Sequence, residues 1–70
     1  MKIERGDLLD VTTASGEVVR MRAMNGPVQG HDFPVVWVCT ESEWERATKT
    51  DEEPDGLPWP LDAVRALAAT

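Results

Sequence analysis

The chain has 70 residues, a net charge of −6, one cysteine and one histidine. That length makes a single small domain, whose core rarely yields more than ~3–5 kcal/mol. A lone Cys39 excludes an internal disulfide, and Cys39 with His31 cannot fill a four-ligand zinc site without carboxylates, so no metal and no cofactor is expected.

Residues Met1–Gly6 form a lead-in whose one strong apolar anchor is Ile3. Asp7–Thr13 reads as a first strand, with Leu9, Val11 and Thr13 on one face and Asp10 and Thr12 on the other. Ala14-Ser15-Gly16 suits a bulged hairpin turn, because Gly16 tolerates positive φ. Glu17–Met24 reads as the second strand: Val19, Met21 and Ala23 face one way, Arg20 and Arg22 the other. From Asn25 to Pro34 the glycines and prolines predict a loop, with a short distorted strand at Val28-Gln29.

Phe33–Cys39 is the only unbroken apolar run. A strand exposed on one face alternates, so a continuous run predicts a central strand, Val35–Cys39, covered on both faces. The run is far short of the ~20 residues of a membrane span. Thr40 followed three residues later by Glu43 is a capping box, predicting a short helix to about Ala47 with Trp44 and Ala47 turned inward. Lys49–Gly56 is acidic and poor in apolar residues, which predicts a mobile connector.

In Leu57-Pro58-Trp59-Pro60 the two prolines restrict the backbone around Trp59 before folding. Pro60 then fits the first turn of a helix over Leu61–Ala69, with Leu61, Val64, Leu67 and Ala68 on one stripe. The expected organisation is a β domain over residues 1–48, an acidic connector over 49–56, and a segment over 57–70 docked on the same domain.

Charge is unevenly spread. Residues 1–24 carry four cations and four anions, whereas residues 25–70 carry three cations and nine anions. Nucleic-acid binders neutralise phosphates with basic patches, so the overall sign argues against that partner. No apolar stretch follows Met1-Lys2-Ile3, so a cytoplasmic location is expected and no membrane association. Gly, Ala, Arg and Pro number 22 while Phe, Ile, Asn, Lys and Tyr number five, a bias that points to a GC-rich genome.

Ile3 and Gly6-Asp7-Leu8-Leu9-Asp10-Val11 before a glycine-containing turn resemble the first strand pair of SH3-like barrels of the KOW or Tudor kind. The resemblance covers roughly residues 3–40 and implies a small barrel that contacts peptides or nucleic acid through loops and aromatic side chains. The chain departs from those families in having no tyrosine and no basic face. Asp32–Cys39 together with Pro58-Trp59-Pro60 also resembles small uncharacterised proteins of actinobacteria and their phages. That likeness implies no activity.

Cys39 ends an apolar run in an acidic half, where its thiol is expected to be packing rather than a nucleophile. His31, between Gly30 and Asp32, reads as an exposed turn residue. The acidic connector lacks the ligand spacing of a calcium loop and reads as solvated. Arg20 and Arg22, with Lys2 or Arg5 nearby, form either a solvated strand face or a contact for an acidic partner. Trp37 and Trp44 are expected in the core. Trp59 is expected to dock on the barrel, with a partner contact as the alternative.

The expected fold is mainly β: a small SH3-like barrel with a short helix and a C-terminal helix. The expected function is a non-catalytic protein-interaction module, a small regulatory or accessory protein of a GC-rich bacterium or its phage. Its candidate contacts are Arg20, Arg22, His31 and Trp59, and its state a monomer or small homo-oligomer. The alternatives are a nucleic-acid-associated protein using the Arg20/Arg22 face, or a structural virion component assembling through sheet edges.

Overall fold

Strict alternation in the first half produces the hairpin that starts the sheet. In the computed structural model, which describes residues 3–67, β1 (Leu8–Thr12) pairs antiparallel with β2 (Val18–Ala23), in register Leu9↔Met21 and Val11↔Val19. The turn closes where Thr13 N–H donates to the Glu17 carbonyl at 2.8 Å, with Gly16 at φ 88°. Leu9, Val11, Met21 and Ala23 are buried, while Val19 on the same face is 39% exposed near the turn.

After β3 (Val28–Gln29) the apolar run forms β4 (Pro34–Thr40), the centre of the sheet. Val35 pairs with both Val28 of β3 and Pro60 of β5 (Leu57–Pro60), and Val38 with both Ala23 of β2 and Leu57 of β5. Each of these residues must therefore bond across opposite edges, so β2 and β3 line one edge of β4 and β5 lines the other. Val36 and Val38 are fully buried on the inner face. Their neighbours Ile3, Leu9, Val11, Met21, Ala23 and Val64 complete the core, with Trp59, Leu61 and Ala66 packed against it.

Half of the expected capping box forms: Thr40 Oγ1 accepts from Glu43 N–H at 3.1 Å and starts α1 (Glu41–Thr50), while the Glu43 carboxylate accepts from Arg46 and from Asp55 N–H. Ala47 is buried and Trp44 half-buried. The helix runs three residues past Ala47 because Asp51 adopts φ 56° and returns its N–H to the Ala47 carbonyl. Glu52 N–H donates to the same carbonyl at 2.9 Å.

The connector makes contacts that its composition did not predict. Arg46 reaches back to Glu43 and forward to Glu52, Asp55 N–H donates to Glu43 Oε2 at 2.9 Å, and Pro54 is buried.

The expected C-terminal helix is absent over the described part of its range. Leu61–Ala63 make one 3₁₀ turn, and Val64–Ala66 form β6, paired to β1 through Leu9↔Ala66 and Val11↔Val64. The remainder of the expected helix, Ala68 and Ala69, lies outside the described residues. A nine-residue helix is marginal in water. The free edge of β1 offers its backbone groups instead, and Val64 is a good strand former. The inward positions Leu61, Val64 and Ala66 bury what a helical stripe would have buried.

Strand order is therefore β5-β4-β2-β1-β6, with both outer strands joined by the three-residue turn. Such a short link brings the two edges together, so the sheet curls into an antiparallel half-barrel. Across that seam Trp59 Nε1 donates to the Thr12 carbonyl at 3.1 Å. Among the described residues the architecture is mainly β with one short α-helix, and it is compatible with an SH3-like barrel. Among the described residues no helix is long and apolar enough to cross a membrane.

Candidate functional site

Arg20 and Arg22 project from the outer face of β2, but each is engaged within the chain. Arg20 Nε lies 3.4 Å from Asp10 Oδ1. Arg22 donates to the Gly6 carbonyl at 2.9 Å and stands 3.7 Å from Glu41. Arg5 donates to the Met24 carbonyl at 2.8 Å, pairs with Glu53 at 2.8 Å and lies 5.3 Å from the centroid of the Trp44 ring. Lys2 lies outside the described residues. The cations of the first half thus meet separate acids and carbonyls instead of forming one anion-facing stripe.

His31 has a side chain 95% exposed, 3.2 Å from Asp32 Oδ1, in the turn before β4. Trp59 is half-buried against the core and held by Thr12. The four residues singled out from the sequence therefore do not converge: two lie on the outer face of β2, one in a turn, and one at the seam of the sheet.

A different group does converge. Alternation along β4 turns Val35, Trp37 and Cys39 to the outer face, opposite Val36 and Val38. Helix α1 packs against β2 and β4, and on this face Cys39 is 1% exposed. Towards the start of β4 Val35 is buried, with Gly30 of the preceding turn close against it, and Trp37 is left at the surface. Trp37, expected in the core, is 37% exposed, because α1 packs against the Cys39 end of the face. Pro58 stands directly across from Trp37, and Val28 and Pro60 flank Val35, all three exposed. Phe33, 49% exposed, stands at the start of the strand.

Beside Trp37 an open groove of about 570 Å³ is lined by Arg5, Met24, Asn25, Gly26, Trp37 and Glu53. The sequence signal for this surface was the alternate placing of Pro58 and Pro60. That spacing puts both prolines on one face once the segment is a strand.

On the same outer face, at the end where α1 packs, Cys39 is poorly suited to nucleophilic work. Burial pushes its thiol pKa up, and nearby Glu43 pushes it further in the same direction. Native protein is therefore expected to react with a thiol-specific disulfide reagent far more slowly than unfolded protein. Equal rates would show the thiol to be accessible. Cys39→Ser should fold with a lowered melting midpoint, since a hydroxyl replaces a packed sulfur.

Glu43 is the pivot between helix and connector. Hydrogen bonds from Arg46 and from Asp55 N–H lower its pKa to about 2, and Arg46 likewise holds Glu52 below the usual carboxylate range. A carboxylate depressed in the folded state stabilises the fold fully above its unfolded pKa, and that contribution is lost as pH falls through the folded value. The melting midpoint is thus expected to drop between about pH 4.5 and pH 2. In Glu43→Gln that drop should shrink, as measured by thermal denaturation across the range.

Among the described residues no three His, Cys, Asp or Glu side chains are placed to hold a metal ion. No family model, no curated protein and no solved structure matches the chain.

Proposed function

We propose that this chain is a non-catalytic protein-interaction module on an SH3-like barrel, a small accessory or regulatory protein that engages a partner through the Trp37 face. The observation that carries the reading is the half-exposed Trp37 set on a rigid central strand, with Pro58 directly opposite and Val28, Pro60 and Phe33 around it. Apolar side chains fixed on strands bind with little further loss of conformational freedom, and tryptophan is enriched among the residues that anchor protein interfaces. The buried Cys39 and the isolated His31–Asp32 pair fit a binding role better than a catalytic one.

The nucleic-acid alternative loses support, since Arg20 and Arg22 are matched to Asp10, Gly6 and Glu41. Assembly through sheet edges is disfavoured at β5, where prolines occupy two of four positions.

The test is selection of a random peptide-display library on wild type and on Trp37→Ala. Trp37 is 37% exposed, so the variant is expected to melt lower than wild type, and the selection is run at a temperature where both remain folded. Enrichment on wild type, retained by Arg20→Ala/Arg22→Ala and lost by Trp37→Ala, supports the reading. The same peptides enriched on Trp37→Ala would sink it.

A further inference from the structure

Between β2 and β3 the chain turns through residues 24–27, and this turn carries Asn25, the one asparagine of the sequence, directly before Gly26. Pairing to β4 ends at Met24, whose N–H donates to the Trp37 carbonyl at 2.7 Å, and resumes at Val28. Asn25 is exposed. Among the described residues neither its side chain nor the Gly26 N–H has a hydrogen-bond partner.

Those free groups are the two halves of a reaction. A glycine nitrogen is the least hindered nucleophile a backbone offers, because no Cβ stands beside it and its backbone turns freely. Asn25 places a neutral amide carbon next to it in the chain. Gln29-Gly30 is the contrast: glutamine would need a larger ring, and the Gly30 N–H is held by the Phe33 carbonyl at 3.0 Å.

We infer that Asn25 is a modification site, deamidated through a cyclic imide formed with Gly26. The Gly26 nitrogen loses its proton to solvent hydroxide and bonds Asn25 Cγ. The Cγ–Nδ2 bond breaks, and the amide nitrogen leaves as ammonia. Water then opens the imide. Attack at Cγ gives aspartate, whereas attack at the main-chain carbonyl of residue 25 gives isoaspartate, with the chain rerouted through Cγ. Nothing is oxidised or reduced: one water is taken up and one ammonia lost.

Either product sets a carboxylate in the groove lined by Arg5, Trp37 and Glu53, and adds one negative charge to a chain already at −6. The isoaspartate also lengthens the main chain where Gly26 lies against Ile3, whose carbonyl oxygen a Cβ on Gly26 would meet at 2.9 Å.

Purified protein, native or unfolded in guanidinium chloride, is incubated at neutral and mildly alkaline pH and mapped by mass spectrometry, with isoaspartate scored by isoaspartyl methyltransferase. The peptide spanning Asn25 should gain about one dalton, as aspartate and isoaspartate together, and faster at the higher pH. Native protein should react within about tenfold of the unfolded rate, because the turn leaves both groups free. Asn25→Gln should abolish the gain. A native rate more than about tenfold below the unfolded one would show that the fold shields the turn, and overturns the inference. A mass gain without isoaspartate overturns the imide route. A gain retained in Asn25→Gln and mapped to Gln29 overturns the assignment to Asn25.

Discussion

Trp59→Ala is expected to leave the chain largely unfolded at 25 °C. The ring packs against the core from β5, and its Nε1 bonds the Thr12 carbonyl on β1, so one side chain spans the seam between the sheet's two ends. Replacing a large aromatic core residue by alanine costs about 3–5 kcal/mol, the sum of lost transfer energy and the cavity left behind. A domain of this size has about that much in total. Trp59→Phe separates the two contributions. It keeps most of the apolar mass and loses the hydrogen bond, for about 1 kcal/mol or a melting midpoint lower by roughly 4–8 °C. An unchanged midpoint in Trp59→Ala would show that the ring does not close the seam.

Gly56→Ala should be nearly as damaging, for a different reason. A Cβ at Gly56 would fall inside contact distance of Met24 Sδ and of the Val38 carbonyl oxygen. The thioether can swing away. The carbonyl cannot, because Val38 sits in β4 with Ala23 paired on one side and Leu57 on the other. Relief requires the chain to move off β4 just where β5 begins. Such overpacking costs about 1–3 kcal/mol, a large share of the stability of a small domain. Pairing Gly56→Ala with Met24→Ala should therefore rescue little in chemical denaturation. Full recovery in the double variant would identify the thioether as the obstacle instead.

Elements whose reasons are local were legible in the sequence. Alternation over Leu8–Thr12 and Val18–Ala23 determined the hairpin and its turn. The unbroken run determined a central strand with Val36 and Val38 buried, and Thr40 with Glu43 determined where the helix starts. These follow from side-chain period and capping chemistry, which act within a few residues.

Tertiary structure decided the rest. Leu61, Val64 and Leu67 have helical spacing, yet Val64–Ala66 became a strand because β1 offered an unpaired edge, something only the assembled sheet possesses. Lys49–Gly56 carries little apolar surface, yet Arg46, Glu43 and Asp55 fasten it through contacts up to twelve residues apart. Trp37 had the composition of a core residue. Its exposure was settled by where one ten-residue helix packs, since a single helix cannot cover the whole outer face of a curled sheet. The candidate docking surface is therefore the part of the apolar run that the fold left uncovered.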